Sequence, residues 1–361
     1  MERDVWEDIT LDEQSKQFLL ELLDTPSPSG FEMEIQKKWI QHVKPYVESI
    51  ETDLAGNAIA SLNKDADFKV LLAGHCDEIG FLVRRIDDRG FIYVEKLGGI
   101  SHKPAIGMKV QFLGKKPITG VIGVNAEHHG GMKDEFKFHD LFIDIGAKSK
   151  REAQEYVAIG DVAVYQRNPE LLLNERIAGR GLDNRTGAFI VAEVMKRLSK
   201  QPLNVGVFGV STVNEETNMG GAYFAGANLE PSMAIALDVT FATDYPGVDR
   251  AQYGEVDIEK GPVLAKGAPI NWKINKWLEQ AAERLKISLQ YELTPRRTGT
   301  DADQIRLTGK GVPVALVSLP LRYMHSPVET ASLQDIEKEI QLLVDFISHL
   351  TGNEDLKPVS E

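Results

Sequence analysis

Apolar positions along the chain follow two patterns. Near the amino end Phe18, Leu19, Leu22 and Leu23 recur at helical spacing behind a Thr10-x-x-Glu13 capping box, and this helix stops at TPSPSG. A second box, Ser29-x-x-Glu32, predicts a helix that carries Phe31, Ile35, Trp39 and Val43 until Pro45 ends it. Strands are expected at VESIET, NAIASL and FKVLLAG. From about residue 79 to 175 the pattern changes to short alternating strands broken by glycines, GFLVRRIDDRGFIYVEKLGG, MKVQFLG and DVAVYQ among them, with one helix near residues 150 to 156. Past Gly181 helices over 184–199, 271–285 and 332–350 alternate with strands over 203–213, 232–238, 287–292 and 312–318, the pattern of a layered α/β domain. The last helix is marked by Leu333, Ile336, Ile340, Leu343, Val344 and Ile347 on one face, and the tail after Gly352 is expected to fray. The chain therefore divides into a discontinuous α/β domain, residues 1–78 and 176–361, and a β-rich insertion, residues 79–175.

The stretch VFGVSTVNEETNMGGA organises this layout. A β-branched apolar run of this length fits one buried strand of a parallel sheet, and it stops at two adjacent glutamates, Glu215 and Glu216. Open α/β sheets bind ligands just beyond the carboxyl ends of such strands. His75 and Asp77 close the strand around Val70 to Ala73, and strand alternation puts both on one face with Cys76 on the other. That spacing lets Asp77 orient a metal-bound imidazole through its second nitrogen. Asp183 stands at a helix start in GLDNR, Asp238 closes MAIALDV, and His325 follows VPVALVSL in RYMHSPVE. Singly, each has a bland reading: an N-cap, a solvated turn, an incidental pair. Together they place two imidazoles and three carboxylates at one sheet edge, a donor set suited to zinc, cobalt or manganese. Two such ions outweigh the charge of Asp183, Glu216 and Asp238 and favour a bound hydroxide over water, which leaves Glu215 free as the proton carrier.

Composition narrows the partners. The 361 residues exceed one typical domain, and 42% hydrophobic with 26% charged residues is ordinary for a globular protein. A net charge of -13 repels nucleic acid and anionic membrane surfaces. The start MERDVWEDITLDE lacks a secretory pattern, and no apolar run nears the roughly 18 residues of a membrane span, so a cytoplasmic protein is expected. Cys76 is the single cysteine, which rules out an intrachain disulfide.

HCDEIGF, GRGLDNRTG, NEETNMGGA, ALDVTFATDYPG, GTDADQI and RYMHSPVE, in this order, resemble the M42 metallo-aminopeptidases, the group of glutamyl and tetrahedral aminopeptidases. The similarity spans about residues 15 to 350. It implies a zinc-exopeptidase-like three-layer αβα catalytic domain with the insertion as a small barrel-like dimerisation domain, and homo-oligomers from dimers to hollow dodecamers. It also implies two divalent ions bridged by Asp183, one completed by His75 and Asp238 and the other by Glu216 and His325, with Glu215 as general base and Asp77 as the partner of His75. The expected reaction is removal of amino-terminal residues from short peptides. Deblocking or other small-amide hydrolysis at the same metals, or a silent assembly subunit, are the alternatives. A glycosidase would need two metal-free carboxylates, and here nearly all are consumed as ligands. Where members usually continue with an apolar residue, glycine and later a basic residue, this chain has Thr217, Asn218 and Gly220, which leaves the preferred first residue open. His128, His129, His139 and Asp140 read as a polar loop of the insertion, with an accessory metal site as the alternative, and Arg296 and Arg297 as either a solvated turn or a contact for a substrate carboxylate.

Overall fold

The computed structural model describes residues 11–132, 135–166 and 168–359. Helix α1 (Glu13–Asp24) buries Phe18, Leu19, Leu22 and Leu23, as the spacing predicts. Thr10 of the first capping box lies outside the described residues, and the cap of α1 is Asp12, whose carboxylate accepts the Ser15 N–H at 2.7 Å. The second box is a correction. Helix α2 (Met33–Val43) starts after Glu32, has no side-chain cap, and leaves Phe31 exposed ahead of it. The Ser29 hydroxyl instead donates to Asp77 at 2.6 Å, and Glu32 accepts from the N–H groups of Gly30 and Asn214 at 2.8 and 3.2 Å. A hydrogen bond to a buried carboxylate is worth more than a helix cap, so Asp77 takes the hydroxyl.

Strands β1 (Ser49–Thr52), β2 (Ala58–Leu62) and β3 (Lys69–His75) then enter the main sheet. The next six, β4 (Gly80–Ile86), β5 (Ile92–Leu97), β6 (Lys109–Phe112), β7 (Ile118–Ile122), β8 (Ile143–Asp144) and β9 (Val162–Tyr165), close into a barrel in the order β4-β5-β8-β7-β6-β9. Its own core includes Phe81, Val83, Val94, Val110, Phe112 and Ile143. Helix α3 (Lys150–Ala153) packs on it, shorter than the sequence suggests.

The chain leaves the barrel through β10 (Glu170–Leu172) and β11 (Arg176–Gly179), then runs through α4 (Leu182–Leu198), β12 (Gly206–Thr212), α5 (Glu215–Asn218), α6 (Gly220–Leu229) and β13 (Met233–Phe241). There follow α7 (Arg250–Tyr253), β14 (Val263–Gly267), α8 (Trp272–Leu285), β15 (Gln290–Thr294), α9 (Ala302–Ile305), β16 (Val314–Leu321), β17 (Glu329–Ser332) and α10 (Leu333–Ser348). The main sheet has eight strands in the order β1-β2-β12-β3-β13-β16-β14-β15. Its middle strands β12, β3, β13 and β16 are parallel, flanked by antiparallel pairings to β2 and β14, so the sheet is mixed rather than purely parallel. Alternate residues of each strand serve opposite faces. Val70, Leu72, Ile235 and Val317 pack toward α4, α8 and α10, whereas Leu71, Ala73, Ala236 and Leu316 pack toward α6 and α9, which makes three layers. The tail beyond Gly352 is not frayed over its described length, since the Leu356 carbonyl accepts from the Asn271 side chain at 3.0 Å. Among the described residues no helix is long and apolar enough to cross a membrane.

Two local features draw the sheet edge together. A Cβ on Gly74 would lie 2.5 Å from the Gly187 carbonyl carbon, so only glycine lets α4 cross β3 this closely and bring Asp183 to His75. Behind them Glu78 binds Arg180 through one oxygen and Arg185, at 3.1 Å, through the other. Arg185 is fully buried and also donates to the carbonyls of Gly181, Leu22 and Arg180 at 2.9, 3.2 and 2.8 Å. Burial raises the Glu78 carboxyl, but the two guanidinium groups outweigh it and hold Glu78 below its usual range. Glu78→Ala strands both cations in the interior. It is expected to lower stability by ~3–5 kcal/mol, read as a shift of the urea unfolding midpoint. A loss below about 1 kcal/mol would mean that the network behaves as a surface pair.

Candidate active site

The four parallel strands each deliver part of the site at their carboxyl ends. His75 ends β3 and Asp238 lies in β13; Glu215 and Glu216 open α5 just past β12; His325 follows β16. Asp183 sits on the first turn of α4, where Gly181 has a φ of 62° and the Asp183–Asn184 peptide is cis. The Asn184 amide donates to the Leu237 carbonyl at 2.7 Å, which fixes this turn beside Asp238.

All seven residues expected from the sequence meet here. His75 Nε2 lies 3.4 Å from Asp183 Oδ1, 3.6 Å from Glu215 Oε2 and 3.9 Å from Asp238 Oδ1. His325 Nε2 lies 3.1 Å from Asp183 Oδ2 and 3.6 Å from Glu216 Oε1. The two oxygens of Asp183 thus face different histidines. Asp77 stands behind: Oδ1 is 3.3 Å from His75 Nδ1 and accepts the Glu215 N–H at 3.0 Å, while Oδ2 accepts the Glu216 N–H at 3.2 Å. One carboxylate therefore sets both the imidazole and the double-glutamate turn.

The electrostatics ask for cations. Burial foremost, then Asp238, Asp301 and Asp183 nearby, push the Glu215 carboxyl well above its usual range against the pull of His75. Glu216 is raised by burial and by Asp183, and Asp238 by burial and Asp183, each against His75. Burial also works to depress His75, but Glu215, Asp183 and Asp77 outweigh it and hold the imidazole well above its usual value. Asp183 is lowered, because hydrogen bonds to His325 and His75 overcome its burial. Glu216 Oε1 is buried with no hydrogen-bond partner. Two groups, His75 with Glu215 and Asp238, and Asp183 with Glu216 and His325, have ligand atoms within 4.8 Å of one another, close enough to share an ion. An orphaned oxygen and a crowded nitrogen and oxygen donor set fit divalent metals. Glu215 is as near His75 as Asp183 is, so proximity alone does not set it apart as the proton carrier.

Sequence reasoning missed three contributors. Glu329 accepts the Asp183 N–H at 3.2 Å and the His325 N–H at 2.8 Å, and burial with the charge of Asp183 lifts it to about 8. Its signal was its place four residues past His325 in RYMHSPVE. Asp301 accepts the Thr212 hydroxyl, and burial lifts it to about 6. Gly99, from the barrel, faces His325: a Cβ there would come 2.5 Å from its Nδ1. Arg297 lines the open cavity of about 560 Å³ in front of the site, while Arg296 is exposed and is not part of its lining. His128, His129 and His139 remain on the barrel, away from the site, among exposed or half-exposed residues.

Comparison with known proteins identifies the family and the fold. The family model described as M42 glutamyl aminopeptidase matches residues 56–342. The chain is 32% identical to the lysyl aminopeptidase of Pyrococcus furiosus over 95% of its own length and 98% of the relative's. Aminopeptidase APDkam598 from Desulfurococcus kamchatkensis superposes with a TM-score of 0.89 at 30% identity, covering 96% of this chain and 98% of that one. The Pyrococcus horikoshii TET1 peptidase, which can assemble into a tetrahedron or a large octahedral shell, gives a TM-score of 0.83 at 30% identity over 93% of this chain and 100% of its own.

A pH dependence follows from the crowding. Glu32, Glu329 and Asp301 sit at about 7, 8 and 6 in the folded protein, against 4.5, 4.5 and 3.8 as free groups. Without metal the folded chain therefore holds more protons than the unfolded one up to about pH 8, and its stability falls as pH rises through that window. Metal ions replace protons and should restore stability most at the upper end. Melting temperatures of chelated and zinc-loaded protein from pH 5 to 8 check this; a chelated protein that gains stability steadily with pH would contradict it.

Proposed function

Because the chain belongs to the M42 glutamyl aminopeptidase family, we propose that it removes amino-terminal residues from short peptides. Two divalent ions, zinc foremost and cobalt or manganese as alternatives, would be held by His75, Asp238 and one oxygen of Asp183, and by Glu216, His325 and the other. The observation that carries this reading is the split of Asp183, with Oδ1 3.4 Å from His75 and Oδ2 3.1 Å from His325. Ions bound there would polarise the scissile carbonyl and acidify a water molecule.

The chain's own residues supply the rest. Glu215 is the general base: its Oε2 takes the proton of the attacking water and returns it to the leaving amine. Its raised proton affinity suits it to both halves of that task. Asp77 holds Glu215 by its N–H and His75 by its Nδ1, so that base and ligand keep one spacing. Glu329 does the same for Asp183 and His325.

Residues 79–175 form the inserted domain in this reading, and their barrel is where copies of the chain pair. The assembly of the Pyrococcus horikoshii relative into closed shells supports a homo-oligomer, in which only short unfolded peptides would reach the site.

Glu215→Gln is expected to keep the fold and the metals while kcat falls ~10² to 10⁴-fold. Rates on a tetrapeptide and its N-acetylated form separate the reactions: only the free peptide should be cleaved. Equal rates on both would replace the aminopeptidase reading with a deblocking one, and full activity of Glu215→Gln would move the base elsewhere.

A further inference from the structure

The cavity in front of the candidate metal ligands contains a carboxylate that the chemistry above does not use. Glu292 lies on β15 and lines this cavity with Phe241, Leu316, Met324 and Arg297. Its Oε2 accepts from the Thr240 hydroxyl at 2.5 Å and its Oε1 from the Ser318 hydroxyl at 2.9 Å. Both donors are tied to Asp238. Thr240 stands two residues beyond it on β13, hence on the same face, and Ser318 is its register partner on β16. Neighbouring strands are about 4.8 Å apart, so the Glu292 carboxylate is held within one or two strand spacings of a candidate metal ligand. A fully extended lysine side chain reaches about 6 Å from its Cα, which matches that span.

Two hydroxyls orient the Glu292 carboxylate without neutralising it. Among the described residues no lysine, arginine or histidine forms an ion pair with it. Lys266, on the adjacent strand, is engaged by Glu279 at 2.8 Å. A largely desolvated carboxylate without a counter-ion at the wall of a substrate cavity is a site for a cation. The apolar sides of Phe241, Leu316 and Met324 suit the methylene stem that carries such a charge. Arg297 is the rival determinant, since it would favour an acidic side chain. It is exposed at the cavity and no carboxylate pairs with it among the described residues, so solvent and salt screen it far more than they screen Glu292.

On the aminopeptidase reading above, we propose that Glu292 sets the preference for the first residue of the peptide and that this residue is basic, lysine or arginine. Thr240 and Ser318 are the positioning residues that aim the carboxylate. Glu292 is thus a specificity residue that contacts the side chain of the departing residue and takes no part in proton transfer.

The test uses the metal-loaded enzyme and the p-nitroanilides of lysine, arginine, leucine and glutamate. Wild type should show kcat/KM for lysine and arginine ~10 to 100-fold above glutamate. Glu292→Gln should collapse the lysine-to-leucine ratio by ~10-fold or more, mostly through KM. Glu292→Lys should reverse the charge preference and favour the glutamate substrate, a gain that a merely structural role would not give. Equal loss on lysine and leucine in both variants, or a wild-type preference for glutamate that disappears in Arg297→Ala, would overturn the proposal. Turnover of leucine anilide without a basic preference would sink this inference alone. No turnover of any free-amine substrate would sink the aminopeptidase reading with it.

Discussion

Repulsion among buried carboxylates is the constraint around which this protein is built. Asp183, Glu215, Glu216 and Asp238 converge on two imidazoles at one sheet edge; burial works to raise all four, and only at Asp183 do the two histidines outweigh it. Such a cluster is costly in any fold unless protons or cations compensate it. Glu216 Oε1, buried with no hydrogen-bond partner, is where the deficit is most local. The fold places the four carboxylates and His75 on a strand or at a helix start and His325 in the turn after β16, and so keeps the cost where divalent ions can offset it.

Much of the surrounding structure serves to hold that edge still. Asp77 draws on Ser29 from the loop before α2 and on the N–H groups of Glu215 and Glu216, which links three segments distant in sequence. Glu78, its neighbour, anchors Arg180 and Arg185 on the opposite side. The barrel is not a passive appendage, because a Cβ on Gly99 would collide with His325 and one on Gly98 would come within 3.2 Å of Glu216. Movement of the barrel against the sheet would therefore be felt at His325 first.

The sequence pattern revealed the layered α/β organisation, the β-rich character of the insertion and all seven residues that gather at the site, because each of these leaves a local mark: a helical face, a strand ending in a ligand, a glycine-punctuated run. What stayed hidden depends on contacts between distant segments. Ser29 reads as a helix cap until Asp77, 48 positions away, is seen to need its hydroxyl. Strand β14 is short, flanked by glycines, and half exposed at its end, so it carries no clear alternation. Helix α6, GGAYFAGANL, is apolar all round and opens with two glycines, which defeats a search for amphipathic periodicity. Glu292 reads as a solvated residue of an edge strand until Thr240 and Ser318 are found beside it.

Geometry also distinguishes the two neighbouring glutamates only through their partners, Glu215 toward His75 and Glu216 toward His325. Whether Asp183 is shared by two ions is the hinge of the whole account. Elemental analysis of protein saturated with zinc and then desalted tests it directly. Two ions per chain in the wild type, falling to one or none in Asp183→Asn, is the expected result. A single ion in the wild type, or two ions retained by Asp183→Asn, would contradict a bridged pair.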